Sequence, residues 1–483
     1  MKNKGLLLLL CILVGGLVVR LYGISHPLAD WHSWRQSDTS SVSRNFVQNG
    51  YDVFKPRFDD LSNIPSGLDN PQGYRFVEFP IYNLLQAGFY DIFRFFSLEV
   101  WGRIITIAFS LAGVYFLYKI TSVYSTEKVA LLAAFFYAFL PFSIYYGRVI
   151  LPDTAMVSMI LGGLFFFHIY LEQSKSKKTK KALLFFTLSL FFTIVSLLLK
   201  PYALFFALPF VALAYQHYKL KVILQWRLWL YAILAVIPLL FWRQWMTQFP
   251  EGIPANTWLF NGNGIRFRPS FFRWMLFERL TKLIVGYVGI VFIITSVLEL
   301  KKSKSILFFA SFLLSAVLYV VVLATGNVQH DYYQIVILPS IVLLLAFGSS
   351  YVYAFFMKFI SQKLSLFAVG SLIFLSFYFS WKVVQTYYWI NNPTVVSVGR
   401  ELDKNLPKDA VVVAPYTGDT TFLYHINRKG WPSFENGIPS LINKGADYLV
   451  IINPKPEDEG IKTEYFLEKK TDDYLLFNLK KSL

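Results

Sequence analysis

The sequence contains little cysteine and little charge. Its 483 residues include one cysteine, Cys11, which excludes a disulfide within the sequence and a cysteine-ligated metal site. Charged residues make up 16% of the chain and hydrophobic residues 55%, whereas about 25% of the residues in a soluble domain are charged. This composition excludes an ordinary soluble protein and indicates a chain largely embedded in a membrane.

Apolar runs recur along the first four fifths of the chain, each long enough to cross about 30 Å of hydrocarbon as a helix. The interrupted run 80–97 contains Asp91 and Arg94 and is predicted to be an interfacial helix. The first run is predicted to be a retained span, because no small-residue cleavage pattern follows it. About eleven spans are predicted: 5–22, 100–119, 129–146, 154–172, 183–199, 201–216, 228–245, 281–299, 305–325, 334–355 and 365–385.

The basic residues predict the orientation of these spans. The first 387 residues hold 34 Lys and Arg but 16 Asp and Glu, and the excess is concentrated in loops that share one side when the spans alternate. That side is predicted to be cytoplasmic. Because the basic excess lies in the membrane part of the chain, where topology and an anionic lipid explain it, a nucleic-acid partner is not expected. The basic loops include 175–181, 219–227, 301–304 and 358–363, and the outer side receives loop 23–99, loop 247–279, the His330 loop and the C-terminal tail.

The tail from residue 388 onward has balanced charge and short apolar runs. Runs 410–415, 448–452 and 474–479 predict buried strands, and 394–406 and 438–444 predict helices. The chain is therefore predicted to comprise a helical membrane domain, 1–387, and a small extracytoplasmic α/β domain, 388–483. The tail has no glycine-rich phosphate-binding loop.

Polar residues that could act in catalysis or binding are concentrated in the predicted outer segments. Charges of both signs at one membrane face favour a functional site over unrelated loop charges. These residues are Asp30, Trp31, His32, Trp34, Arg35, Gln36, Asp38 and Arg44 at the start of the first loop, Glu78 later in it, Arg148 to Asp153 between two spans, Lys200 after an apolar run, and His330 to Tyr333.

Each group also has a purely structural interpretation. Asp38 would be a suitable N-cap for a helix over 39–48, and Asp153 for the next span. Arg148 and Lys200 would extend toward lipid headgroups. His330 would be a loop residue bonded to backbone, and the pair 59–60 is predicted to be solvated. Loop 247–279, glycine-bearing and basic, is either a mobile cover or an interfacial anchor.

These residue types suit sugar transfer from a polyprenyl phosphate. The reaction needs a carboxylate that deprotonates the acceptor hydroxyl or orients an amine, and cations that hold the phosphate leaving group. Arginine suits a bidentate phosphate contact, and lysine serves as a point charge. An apolar groove must also hold the prenyl chain.

Several motifs resemble those of the GT-C superfamily of membrane glycosyltransferases, specifically its dolichyl-phosphate-mannose protein mannosyltransferase-like group (glycosyltransferase 39, aminoarabinose-transferase-like). The span count, the large first loop and the outer C-terminal domain are also similar to that group. The resemblance covers roughly residues 1–385. The motifs are Trp34-Arg35-Gln36-Ser37-Asp38-Thr39 with Arg44-Asn45-Phe46, Glu78-Phe79-Pro80, Arg148-Val-Ile-Leu-Pro-Asp153 and His330-Asp331-Tyr332-Tyr333.

The resemblance implies inverting transfer from a polyprenyl-phosphate-linked sugar outside the cytoplasmic membrane. It carries the first-loop acidic residue onto Asp38, the phosphate-side arginine onto Arg148, the outer lysine onto Lys200, and a residue orienting the site or acceptor onto Asp153. Many members have paired acidic residues where this chain has Arg35 and Gln36 before a lone Asp38, so Asp30 and Glu78 are alternative bases. A bound metal is not expected, although Mg²⁺ or Mn²⁺ held by Asp38 and Asp153 is an alternative.

The sequence thus predicts a polytopic α-helical glycosyltransferase of the cell inner (plasma) membrane, with its active site outside the cytoplasm. Asp38, Glu78 and Asp153 are the predicted catalytic residues. Trp31 and Trp34 are predicted to stack on the sugar. The acceptor is a lipid, a glycan or a protein. A ligase of lipid-linked polymers and a lipid-linked sugar transporter are the alternative functions. The residues predicted to bind the donor or its phosphate are Arg148, Lys200, Arg35, His330 and Tyr332.

Overall fold

The computed structural model describes residues 2–175, 179–301, 303 and 305–482. Its first ten helices are α1 (Lys2–Arg20), α2 (Ser33–Asn49), α3 (Ile81–Ile92), α4 (Leu98–Tyr124), α5 (Glu127–Phe139), α6 (Pro141–Tyr146), α7 (Pro152–Lys175), α8 (Thr179–Leu199), α9 (Ala207–Tyr218) and α10 (Trp226–Met246). The next ten are α11 (Trp258–Asn261), α12 (Pro269–Phe272), α13 (Ile290–Leu300), α14 (Ile306–Val322), α15 (Ala324–Gln329), α16 (Leu338–Phe356), α17 (Gln362–Val384), α18 (Pro393–Asn405), α19 (Thr421–Ile426) and α20 (Ile438–Asn443). The strands are β1 (Val412–Val413), β2 (Gly430–Trp431), β3 (Tyr448–Ile452), β4 (Phe466–Lys470) and β5 (Tyr474–Asn478).

The predicted helical membrane architecture is confirmed. In the described part of the chain, six helical segments are long and apolar enough to cross a membrane, and α13 and α14 are shorter apolar helices. The six are α4, α7, α8, α10, α16 and Gln362–Asn405, whose apolar part is α17. Of the basic loop residues, Lys177, Lys178, Lys302 and Lys304 lie outside the described residues.

Two predicted spans are broken. Pro141 separates α5 from α6 inside the predicted span 129–146, because proline lacks the amide hydrogen that would continue the helix. The predicted span 281–299 contains the end of a π-helix, Arg273–Ile284, and then α13. Gly286 and Tyr287 lie between them with φ of 54° and 57°, a backbone conformation that ends helical geometry.

The chain forms two compact units. The helical unit comprises Met1–Ile24, Arg103–Trp242 and Asn256–Tyr387, and the sheet unit comprises Ser25–Gly102, Arg243–Ala255 and Tyr388–Leu483. The sheet unit therefore contains most of the predicted first outer loop as well as the tail.

The C-terminal part of the sheet unit is the predicted small α/β fold. Its five strands are ordered β2-β1-β3-β5-β4, with β2, β1 and β3 parallel and β5 antiparallel to both β3 and β4. One apolar core joins the sheet to α18 and α19, and a second core on the other face includes α20. Residues 59–61 of the first loop extend the sheet at β2, where Leu61 N donates to Gly430 O at 2.8 Å and Gly430 N donates to Asp59 O at 2.9 Å.

Candidate functional site

Helix α2 carries the first group of predicted site residues in the sheet unit. It is polar along most of its length, yet 11 of its 17 residues are buried. Because buried polar groups must find hydrogen-bond partners, such a helix is costly unless neighbouring segments supply those partners. Asp38 lies inside this helix, which begins at Ser33, so the alternative interpretation of Asp38 as an N-cap is wrong.

Asp38 is held by donors from two distant segments. Arg75 Nη2 donates to Asp38 Oδ2 at 2.6 Å, and Thr420 Oγ1 donates to Asp38 Oδ1 at 2.7 Å. The carboxylate is 4% exposed. Both contacts are in the range of short, charge-assisted hydrogen bonds. Asp38 is therefore a fixed carboxylate with one donor on each oxygen.

A second ion pair lies next to Asp38. Arg35 Nη2 donates to Glu78 at 2.8 Å and 3.1 Å from its two carboxylate oxygens. Arg35, Asp38, Arg75 and Glu78 line one small pocket, a cavity of about 10 Å³, which has room for about one water molecule. Asn83 also lines it and donates to the carbonyl of Thr39 at 2.6 Å. The pocket thus gathers two carboxylates, two guanidinium groups and an amide around a small polar space.

The pair Asp59 and Asp60 is buried, so the prediction that these residues are solvated is wrong. Asp59 accepts hydrogen bonds from Arg44 and, at 3.0 Å, from Asn45 Nδ2. Asp60 Oδ1 accepts from Ser62 N at 2.8 Å. Burial raises the pKa of Asp60 to about 7, with the nearby charge of Asp38 also raising it.

The predicted aromatic residues lie at the beginning of α2. Trp31 is 37% exposed, and its backbone carbonyl accepts from Gln36 Nε2 at 3.3 Å. Gln36 Nε2 also donates to Asp30 Oδ1 at 2.7 Å. Asp30 is buried in this contact. Trp34 is half-buried, and its carbonyl lies 3.3 Å from Thr420 Oγ1.

The helical unit holds the other predicted residues. Lys200 directly follows α8, and its Nζ lies 3.0 Å from Oδ2 of Asp153, the second residue of α7. Both side chains are buried, so the pair is screened little by solvent. The Lys200 Nζ also lies 5.5 Å from the ring centre of Tyr202 and 5.9 Å from that of Tyr332. An ammonium group, a carboxylate and tyrosine rings therefore share one buried location.

Arg148 and His330 have separate partners in the helical unit. Arg148 is fully buried, donates from Nη1 to the carbonyl of Gly23 at 3.0 Å, and lies 5.3 Å from the ring centre of Tyr145. His330 stacks on Tyr332 with ring centres 5.4 Å apart. The structure thus connects His330 through Tyr332 to Lys200.

Asp331 is the centre of a further polar cluster in the helical unit. It accepts hydrogen bonds from Tyr146 Oη at 2.5 Å and from Tyr387 Oη, and Arg279 Nη1 lies 3.7 Å away. Sequence reasoning placed Asp331 in a candidate loop but missed these three partners, as it missed Arg75 and Thr420 in the sheet unit. No signal in the sequence links residues so far apart along the chain.

The carboxylates do not form a ready metal site in the described part of the chain, where no group of three or more His, Cys, Asp and Glu side chains could hold a metal ion. Asp38 is engaged by Arg75, and Asp153 by Lys200. Both pairs place a cation where a metal would bind, so the residues do not fit a preformed Mg²⁺ or Mn²⁺ site.

Comparison with known proteins gives a family match and a shared fold. Residues 72–242 match the model of the dolichyl-phosphate-mannose-protein mannosyltransferase family. No curated protein matches the sequence. The structure of ArnT from Cupriavidus metallidurans in the apo state is similar over 99% of this chain and 98% of that one, with a TM-score of 0.67 at 11% identity.

Two further solved structures are similar. The structure of ArnT from the same organism bound to undecaprenyl phosphate is similar over 98% of this chain and 98% of that one, with a TM-score of 0.66 at 10% identity. The oligosaccharyltransferase of Archaeoglobus fulgidus, in complex with Zn and sulfate, covers 97% of this chain and 73% of that one, with a TM-score of 0.58 at 12% identity. The match and the fold confirm the predicted resemblance and the multi-pass membrane character.

Proposed function

We propose that this chain, a glycosyltransferase of the GT-C superfamily, catalyses inverting transfer of a sugar from a polyprenyl-phosphate donor to an acceptor outside the cytoplasmic membrane. The observation that carries the proposal is Asp38, a buried carboxylate fixed by Arg75 and Thr420 at a polar pocket. A carboxylate in that setting suits proton removal from an acceptor hydroxyl.

The proposed reaction has Asp38 as the general base. The acceptor oxygen attacks the anomeric carbon and gives its proton to Asp38, while the bond between that carbon and the phosphate oxygen breaks and its electron pair leaves on polyprenyl phosphate. Glu78 and Arg35 line the same pocket. Glu78 is the alternative base, and Trp31 and Trp34 are the proposed sugar-stacking residues.

Lys200 and Arg148 are the proposed contacts of the donor phosphate. Lys200 is buried and paired with Asp153, so an incoming phosphate would exchange one anionic partner of the lysine for another. His330 and Tyr332, stacked beside Lys200, are proposed to contact the donor as well. The ArnT structure with undecaprenyl phosphate supports this class of donor.

An apolar cavity in the helical unit suits a prenyl chain. It contains about 1090 Å³ of empty space including open solvent, between α7, α8, α9 and α10. Ala203 and Leu204, in the turn after Lys200, line it together with Phe167, Phe210 and Trp229. Leu197 and Ala203, each three residues from Lys200, both line the cavity, so an apolar chain held there would lie near that cation.

The acceptor is a lipid, a glycan or a protein. The archaeal oligosaccharyltransferase has been solved tethered to an acceptor peptide containing the NVT sequon, which supports a peptide as one such class. The distribution of basic loops supports an inner-membrane location with the active site and tail outside the cytoplasm. A required metal is not part of the proposal.

The test uses purified protein in detergent, a panel of radiolabelled polyprenyl-phosphate sugars, and membrane extract as the acceptor source. Wild type is compared with Asp38→Asn and with Asp52→Asn, which changes an exposed carboxylate of the same unit. Transfer that is lost in Asp38→Asn and retained in Asp52→Asn supports the proposal and identifies the sugar.

Other outcomes assign the function differently. Transfer that survives Asp38→Asn would move the base to Glu78 or Asp30, or favour the ligase, which does not need this carboxylate. Binding of no donor by a folded protein would favour the ligase or the transporter.

A further inference from the structure

Helix α19 of the tail packs along α2 inside the sheet unit. Thr421 Oγ1 donates to Ser33 Oγ at 3.0 Å near the start of α2. Farther along, Arg44 Nη1 donates to the carbonyl of Tyr424 at 2.8 Å, and the guanidinium carbon lies 4.1 Å from the centre of that ring. These contacts fix the register of α19 against the helix that carries Asp38.

The register brings the Thr420 hydroxyl to Asp38. Thr420 Oγ1 lies 2.7 Å from Oδ1, and Arg75 occupies Oδ2 at 2.6 Å. A carboxylate has about four acceptor positions, so this arrangement fixes its rotation about the side-chain torsions and leaves positions for an incoming hydroxyl. The backbone on both sides of Thr420 is itself held, because Asp419 Oδ1 accepts a hydrogen bond from the backbone amide of Thr421 at 2.7 Å.

The same hydroxyl has a second acceptor. The carbonyl of Trp34 lies 3.3 Å from Thr420 Oγ1, while Asp38 lies closer. A threonine hydroxyl has one hydrogen, which rotates to suit its surroundings. The Thr420 hydrogen can therefore turn from Asp38 to Trp34 when Asp38 gains a proton, and the carboxyl group keeps its place.

We infer that Thr420, supplied by the C-terminal region, is a positioning residue for the base of the transfer reaction. The inference rests on the proposed function, because it assigns Thr420 a role only through Asp38. It also gives the tail a part in catalysis: α19 delivers the donor that orients Asp38 toward the acceptor.

The test compares single-turnover and steady-state transfer by Thr420→Val, Thr420→Ser and the control Thr463→Val. The control removes the exposed hydroxyl of another threonine of the tail, which donates to the carbonyl of Gly460 and takes no part in the packing of α19 on α2. Loss of a hydrogen bond to a charged group lowers kcat of Thr420→Val roughly 10- to 100-fold. The donor KM stays within about twofold, because the interaction acts on the chemical step. Thr420→Ser, which keeps the hydroxyl, restores kcat, and Thr463→Val leaves kcat unchanged.

The outcomes separate the inference from the function on which it rests. Equal kcat for Thr420→Val and Thr463→Val, with active wild type, overturns the positioning role and leaves the proposed function standing. Failure of wild type to transfer any sugar overturns both. If Thr420→Val does not fold, Thr420→Ala adds no volume and provides the same comparison with Thr463→Val.

Discussion

Asp38 in the sheet unit and Asp153 in the helical unit are both buried carboxylates beside a basic side chain, but they are held differently. Asp38 accepts one hydrogen bond on each oxygen, from Arg75 and Thr420. Lys200 lies 3.0 Å from Asp153, yet neither Asp153 oxygen has hydrogen-bond geometry with any partner in the described part of the chain.

The difference separates two kinds of site. A carboxylate with directional bonds on both oxygens is oriented for proton transfer, which depends on geometry. A buried ion pair held mainly by charge can exchange its anion for a phosphate without breaking a larger network. We therefore assign Asp38 to the acceptor and the Lys200 pair to the donor.

Lys200→Met should have the largest effect, on both donor binding and stability. It leaves Asp153 buried without its cation, which costs about 3–5 kcal/mol of unfolding free energy. Thermal unfolding in detergent and donor-binding assays measure the two losses.

The double variant Lys200→Met/Asp153→Asn should regain stability but not donor binding, and recovery of both would contradict the phosphate role of Lys200. Lys408→Met, which removes a surface ion pair to Asp403 and leaves Asp403 paired with Arg428, is the control and should cost less than about 1 kcal/mol.

Asp60→Asn tests how strongly the surroundings of Asp38 disfavour further negative charge. The pKa of Asp60 is raised to about 7 from its ordinary 3.8, so the folded state holds an extra proton between those values and wild-type stability falls as pH rises from about 4 to 7. The variant should remove that fall, a gain on the order of 2–4 kcal/mol at pH 8 and little at pH 4. Unfolding midpoints at the two pH values measure it. An equal effect at both would contradict a buried, protonated Asp60.

Glu78→Gln distinguishes the two carboxylates of the pocket. Gln keeps an acceptor for Arg35 but removes the charge, so kcat should fall roughly tenfold, the effect of one weakened charge-assisted contact. Steady-state transfer measured beside Asp38→Asn gives the ranking. A larger loss in Glu78→Gln than in Asp38→Asn would make Glu78 the base.

Removal of divalent cations should have the smallest effect. Arg75 and Lys200 already stand beside the carboxylates that would bind a metal, so the rate of sugar transfer in excess EDTA should stay within about twofold of the untreated rate. Transfer abolished by EDTA and restored by Mg²⁺ or Mn²⁺ would require a metal and a different arrangement of Asp38 and Asp153.

The sequence predicted elements with a strong local pattern. The tail strands at 448–452 and 474–479 were confirmed as β3 and β5 almost to the residue, because each is a continuous apolar run. Strand β2 has two residues and β4 ends in Glu468, Lys469 and Lys470, so neither has a pattern to detect. Helix α19 was not predicted, because its six residues are too few to show a helical repeat of apolar positions.

The candidate residues were accessible to sequence reasoning, but their partners were not. Asp38, Glu78, Asp153 and Lys200 stood out as charges at predicted membrane edges. The donors to Asp38 lie 37 and 382 positions away along the chain. Tertiary packing alone brings Thr420 to Asp38, and only a folded structure can report it.

The most direct measurement is single-turnover sugar transfer at saturating donor by Asp38→Asn, with donor binding measured on the same preparation. We expect unchanged donor binding and a rate of transfer lower by about 10²- to 10⁴-fold, the usual contribution of a general base. Transfer at the wild-type rate by Asp38→Asn, with donor bound, would contradict the assignment of Asp38 as the base.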